Sequence, residues 1–195
     1  MIDDPQMIAY HLEKAAYLAK SGRPGPVWID VPADVQSTII IEEELKHFEI
    51  PDEEVAYKEY VTEDEMNQVY ELLSTSKRPV VVAGQGVRLS GGQEKFINFI
   101  EENKIPVVSP YLGISTIPTL HDLFIGRLGS KGDRPGNFCI QNADLVLVLG
   151  SRMDISAIGY SSENFAREAQ IIVVDIDPNE HKKPRIKIDL FINAN

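Results

Sequence analysis

Arg78-Pro79-Val80-Val81-Val82-Ala83-Gly84-Gln85-Gly86-Val87-Arg88-Leu89-Ser90-Gly91-Gly92 is the stretch on which the reading of the fold turns. Four apolar residues, three of them β-branched, follow a polar lead-in and run straight into two glycines flanking one residue. A short apolar run of this kind suits a strand buried on both faces, inside a parallel sheet. Gly84 and Gly86 permit a sharp turn and a close approach of a ligand to the backbone. Ser90 and Gln93 stand three apart, the spacing of a capping box that opens a helix through Phe96, Ile97 and Ile100. Strand, glycine turn and helix together begin a nucleotide-binding α/β unit. A bare strand-to-helix turn needs the same glycines for steric reasons, so the G-x-G alone leaves both readings open.

The pattern repeats downstream. Ile105-Pro106-Val107-Val108-Ser109 reads as a second strand, and residues 110–121, with prolines and Gly113, as a loop at its carboxyl end. Phe124-Ile125-Gly126 leads into a glycine-rich, basic loop, and Pro135 begins a helix that ends near Asn142. Residues 144–150 form the clearest buried strand, residues 171–177 another, and residues 186–192 a last one. Strands alternating with helices predict an α/β fold with a doubly wound, parallel, Rossmann-like sheet. Ligands of such sheets bind beyond the carboxyl ends of the strands. Gly84-Gln85-Gly86, Pro110-Tyr111-Leu112, Gly150-Ser151-Arg152 and Asp175-Ile176-Asp177 all fall there.

The beginning of the chain reads as the end of another domain. Asp4-Pro5 is a cap followed by proline at the first helical position. Ile8, Leu12, Ala15, Ala16 and Ala19 recur at helical spacing, and Gly22 closes the helix. Gly25-Pro26 then feeds a predicted strand, Val27-Trp28-Ile29-Asp30-Val31, stopped by Pro32, with Trp28 read as a core residue. One helix and one strand cannot cover both faces of that strand, so residues 1–35 are read as a remnant of a preceding domain. Residues 36–61, with Glu42, Glu43, Glu44, Glu49, Asp52, Glu53 and Glu54, read as a solvated linker. Thr62 and Glu65 make a capping box for a helix carrying Met66, Val69, Leu72 and Leu73, which opens the domain of residues 62–195.

Composition narrows the function. A net charge of -11 over 195 residues argues against nucleic acid, whose phosphates call for a basic surface. No run approaches a membrane span, and the amino terminus lacks the pattern of a signal peptide. The single cysteine, Cys139, reads as a small core thiol and fits a reducing cytoplasmic setting. His121 reads as a surface histidine.

Ser21-Gly22-Arg23-Pro24-Gly25-Pro26-Val27-Trp28-Ile29-Asp30-Val31-Pro32-Ala33-Asp34-Val35-Gln36 resembles the end of the pyrimidine-binding domain of acetolactate-synthase-like thiamine diphosphate enzymes. Arg78-Pro79 to Gly86, Ile105-Pro106-Val107, Asn142-Ala143-Asp144-Leu145, Gly150-Ser151-Arg152-Met153-Asp154 and Val174-Asp175-Ile176-Asp177-Pro178 resemble their central domain, in the family's order. The resemblance implies a parent enzyme that forms or cleaves a carbon–carbon bond beside a carbonyl, a transferase or lyase using thiamine diphosphate and magnesium. It implies that this chain is a fragment: the chain lacks the family's Gly-Asp-Gly motif, Gly132-Asp133-Arg134 breaking it at the third position, and the segment bearing the activating glutamate. The missing amino- and carboxyl-terminal domains would be its partners, in a homo-oligomer. Positions similar to the family's FAD contacts are Arg23, Gly84, Gly86, Pro110, Tyr111, Leu112, Gly126, Gly150, Arg152, Asp154, Asp175 and Ile176. No catalytic or metal-binding residue carries over.

Three features depart from the FAD pattern. The family's Asp-Asp-Arg is here Asp154-Ile155-Ser156, its His-Gly is Leu128-Gly129, and its final Gly-Asp is replaced by Ala194-Asn195. The chain is therefore expected to hold neither thiamine diphosphate nor FAD. The alternative is a stand-alone nucleotide-binding or regulatory module with Gly84-Gln85-Gly86 facing a diphosphate. A third reading, an NAD-dependent deacylase, is suggested by Gln141-Asn142-Ala143-Asp144 and weakened by the absence of that family's paired zinc cysteines.

Overall fold

The computed structural model describes residues 1–50, 60–180, 182 and 186–195. It divides into two compact units, Met1–Ala56 and Tyr57–Asn195.

The larger unit is a single sheet of six parallel strands in the order β3-β2-β1-β4-β5-β6. The strands are β1 (Pro79–Ala83), β2 (Val107–Ser109), β3 (Phe124–Arg127), β4 (Leu145–Leu149), β5 (Gln170–Asp175) and β6 (Leu190–Asn193). This is the doubly wound α/β fold that the alternating pattern predicts. The chain runs outward from β1 through β2 to β3, then returns to β4 on the other side of β1. The switch in winding therefore lies between β1 and β4, at the centre of the sheet.

The apolar runs explain why these strands are central. Val80 and Val82 enter a core with Val146, Val148, Ile140, Ile158 and Phe165. Their neighbours Val81 and Ala83 enter the opposite core, with Leu145, Leu147, Phe96 and Ile100. Alternate side chains thus go to opposite faces, and both faces are covered. Each fully buried valine contributes roughly 1.5–3 kcal/mol relative to an exposed one.

Two helices of the smaller unit, α1 (Ile8–Lys20) and α2 (Ala33–Gln36), come first in the chain. They are followed in the larger unit by α3 (Glu63–Thr75), α4 (Gly86–Leu89), α5 (Gln93–Asn103), α6 (Arg134–Asn142) and α7 (Ile155–Ile158). Helix α3 starts with the expected capping box: Glu65 N–H donates to Thr62 Oγ1, and Thr62 N–H donates to Glu65 Oε2 at 2.9 Å. The second expected box does not form. Helix α4 intervenes after the glycine turn, Gly92 caps α5, and Ser90 Oγ donates back to Val87 O. The Gln93 side chain instead donates to the carbonyls of Ser115 and Thr116, pinning the β2–β3 loop.

Asp144 ties the amino ends of β1 and β4 together. Its carboxylate accepts from the Ser76 hydroxyl and from the N–H groups of Lys77 (2.9 Å) and Arg78 (3.0 Å). Arg78 Nε donates to Asn142 O at 2.7 Å. Desolvation pushes the carboxyl upward, but these donors outweigh it and hold the pKa at about 2.

In the smaller unit, Asp4 caps the first turn and Gly22, at φ 55, follows α1 in the left-handed region, as the sequence suggests. The predicted strand over residues 27–31 does not form, and Trp28 is 91% exposed rather than in a core. A strand needs a neighbouring strand, and among the described residues the backbone here is met by Ile2 N–H on Asp30 O and by the Gln36 side chain on Val31 O. Part of the segment expected as a linker folds back onto α1. Lys46 N–H donates to Gln6 O, while Phe48 N–H and His47 Nδ1 both meet the Glu13 carboxylate. Phe48 also stands edge-on to Tyr10, with ring centroids 5.6 Å apart. The acids Asp52, Glu53 and Glu54 lie outside the described residues.

Candidate functional site

The carboxyl ends of β1 and β4 meet at the switch point, and three glycines sit there face to face. A Cβ on Gly84 would lie 2.2 Å from Gly150 O, and one on Gly86 2.6 Å from Gly150 Cα. A Cβ on Gly150, itself at φ 57, would lie 2.5 Å from Gly86 Cα. The room left by the missing side chains is thus filled by the protein's own backbone. The amides are engaged too: Gly84 N–H donates to Leu149 O at 2.9 Å, Gly86 N–H to Gly150 O at 3.0 Å, and Gly150 N–H to Val174 O at 2.9 Å. A phosphate cradle relies on free, convergent backbone N–H groups. These three do not supply one.

From the β2 side, Gly113 packs on Ala83, where a Cβ would lie 2.4 Å from the carbonyl oxygen, and Thr116 Oγ1 donates to Gly84 O at 3.4 Å. Pro110 precedes a 3-10 turn over Tyr111–Gly113 in which Tyr111 and Leu112 are exposed. The Lys131 ammonium lies 5.5 Å from the centroid of the Tyr111 ring. Gly126, in β3, makes room for the Asp133 carboxylate, which caps α6 and accepts from Arg127 N–H and Gly136 N–H, each at 2.9 Å.

After β4 the chain turns through Met153, a non-glycine residue at φ 46 and buried. Asp154 caps α7: its Oδ1 accepts from Ser156 Oγ at 2.6 Å and from Ala157 N–H at 3.1 Å. The Ser156 hydroxyl is the main influence that lowers this carboxyl's pKa. Arg152 Nε donates to Glu180 Oε1 at 3.1 Å; the arginine side chain is 59% exposed and the glutamate side chain 6%. Ser151, Arg152, Met153, Val173, Glu180, Ile186 and Ile188 line a cavity of about 20 Å³ beside this pair, room for about one water. At the end of β5, Asp175 Oδ1 accepts from Asp177 N–H, while the Asn193 side chain donates to the carbonyls of Asp175 and Ile176.

The structure therefore brings Gly84, Gly86 and Gly150 into direct contact and places Arg152, Asp154, Asp175 and Ile176 on the same carboxyl rim. Arg23 is exposed and belongs to the smaller unit. Sequence reasoning missed Glu180, Thr116 and Asp133, polar residues in loops with no periodicity to mark them, and Asn193 at the end of β6. It also weighed Leu128 as a replacement for a ligand-facing histidine. Leu128 is buried among core residues, where its side chain packs. His121 is part-buried rather than on the surface; its Nδ1 accepts from Leu123 N–H and its Nε2–H donates to Glu101 Oε1. Burial raises the thiol pKa of Cys139, which packs against the core.

The deacylase reading has no support here. Gln141-Asn142-Ala143-Asp144 lies at the amino end of β4, where it holds β1 and β4 together, at the opposite end from the rim. Among the described residues no three His, Cys, Asp or Glu side chains come together as a metal site requires. No helix among them is long and apolar enough to cross a membrane.

A six-stranded parallel sheet wound in both directions from β1, with loops gathered at its carboxyl rim, defines a Rossmann-like domain. Residues 66–195 match the family described as thiamine pyrophosphate enzyme, central domain. The chain is 36% identical over 179 residues to the acetolactate synthase large subunit of Lactococcus lactis, covering 92% of this chain and 30% of that protein. It is 35% identical over 189 residues to the acetolactate synthase isozyme 1 large subunit of Escherichia coli, covering 93% and 32%. It is 34% identical over 191 residues to the chloroplastic acetolactate synthase 2 of Nicotiana tabacum, covering 96% and 28%. The chain belongs to the thiamine pyrophosphate enzymes of the acetolactate synthase type and contains their central domain. It spans about 30% of the length of these relatives.

Proposed function

We propose that the chain works as the structural central domain of a larger thiamine diphosphate enzyme whose reaction forms or cleaves a carbon–carbon bond beside a carbonyl. In that enzyme the cofactor, held with magnesium by other domains, supplies the carbanion chemistry. The residues here orient and space those domains, in a cytoplasmic homo-oligomer. The observation that carries the scaffold reading is the closure at the switch point, where Gly84, Gly86 and Gly150 fill one another's space and their amides are bonded within the sheet.

The same observation speaks against FAD, and against a stand-alone module with its diphosphate at Gly84-Gln85-Gly86. The remaining contacts proposed for a nucleotide in the larger unit (Pro110, Tyr111, Leu112, Gly126, Arg152, Asp154, Asp175 and Ile176) then serve the rim's own architecture. Isothermal titration of the chain with thiamine diphosphate and magnesium tests the assignment. No saturable heat is expected, and no turnover of pyruvate. Micromolar binding would overturn it. Coding sequence flanking this chain is expected to carry a Gly-Asp-Gly motif followed by an asparagine, which would hold the diphosphate.

A further inference from the structure

Tyr10, Glu13 and Tyr17 stand three and four residues apart, so they share one face of α1. Residues 46–48 run along that face, and each of them is tied down. Lys46 N–H donates to Gln6 O at 3.1 Å, His47 Nδ1 meets Glu13 Oε1 at 2.7 Å, and Phe48 N–H donates to Glu13 Oε2 at 2.8 Å. The Phe48 ring contacts both tyrosines, with centroids 5.6 Å from Tyr10 and 5.5 Å from Tyr17. A backbone N–H on a carboxylate is a charge-assisted bond, roughly twice as strong as a neutral one. Among the described residues of the smaller unit only Ile2 is buried, so little else there competes with this contact in holding the chain.

We infer that the Glu13 carboxylate is a clasp that fastens residues 46–48 to α1 and so fixes where the connection to the larger unit starts. Residues 36–48 are thereby withdrawn from the reach that a solvated linker would offer. The inference rests on the scaffold reading and deepens it, because a domain that spaces others needs its connection anchored. The charged and titratable groups around the clasp are Lys46 and His47 on the strap, and Tyr10, His11, Lys14 and Tyr17 on α1. The Phe48 N–H first and His47 second hold the Glu13 carboxyl below its ordinary value of 4.5. The clasp is therefore closed above that value and opens as the pH falls through the lower, folded one.

Hydrogen exchange of the whole chain, expressed as protection relative to unstructured peptide, compares wild type with Glu13→Ala. Alanine is the best helix former, so the substitution spares α1 itself. The Phe48 amide is expected to lose at least about tenfold protection in the variant, with the amides of residues 14–20 unchanged. Wild type acidified to about pH 3 should lose the same protection at Phe48, with no further step in Glu13→Ala. Unchanged protection in Glu13→Ala, a loss shared by α1, or a Phe48 amide indifferent to acid in wild type overturns the inference. Saturable binding of thiamine diphosphate would count against the scaffold reading alone, since the ratio between wild type and Glu13→Ala still decides the clasp.

Discussion

A methyl group on Gly150 would have nowhere to go, because Gly86 Cα already stands where it would point, and the backbone at φ 57 disfavours any side chain. Left-handed backbone costs about 1–2 kcal/mol, and overpacking against rigid neighbours typically 1–3 kcal/mol more. Gly150→Ala should therefore lose roughly 3 kcal/mol in urea denaturation. Gly22→Ala, at a similar φ of 55 but with nothing within 4 Å, should lose only about 1 kcal/mol. Equal losses would show that the switch-point packing contributes nothing. Asp144 gives a second test, read by pH. Its folded pKa of about 2 lies below the ordinary value of 3.8, so its stabilisation is present above about pH 4 and lost as the pH falls towards 2. Asp144→Asn should be less stable at neutral pH and should flatten the acid limb of the stability curve. An unchanged acid limb would remove Asp144 from the link between β1 and β4.

Single elements show where sequence was sufficient. β1, β4 and β5 were legible because a strand covered on both faces must be apolar throughout, and turn residues bound each run. The capping box of α3 was legible because its chemistry is local. Thr62→Ala should cost about 1 kcal/mol in thermal or urea unfolding, and no change would mean that the cap is frayed in solution. The Ser90–Gln93 pair shows the same motif failing, since Gln93 finds partners in the β2–β3 loop that local spacing cannot reveal. At β3 the sequence suggests only the lead-in to a loop: four residues including Gly126, at the sheet's edge, carry too little pattern. Residues 27–31 erred the other way, with an apolar, β-branched run that finds no neighbouring strand. The site divided along similar lines. Glycines at strand ends announced the rim, but whether they open it or close it depends on what packs against them. That was visible only once β1 and β4 were side by side.

At the scale of the molecule, Tyr57–Asn195 contains both cores and the whole sheet, whereas Met1–Ala56 rests on one long helix and its strap. Amides of residues 145–149 should be the slowest to exchange with solvent and those of residues 27–31 among the fastest. Trp28, the sole tryptophan, should emit as a fully hydrated indole and be quenched readily by a soluble quencher. Slow exchange or shielded emission would mean that the smaller unit is covered in solution. A closed rim and a scaffold role leave no place for a bound flavin. The visible spectrum of the purified protein, before and after denaturation, tests it most directly. A colourless protein that releases no flavin is expected; a yellow preparation yielding FAD on denaturation would show that the rim takes a flavin nucleotide.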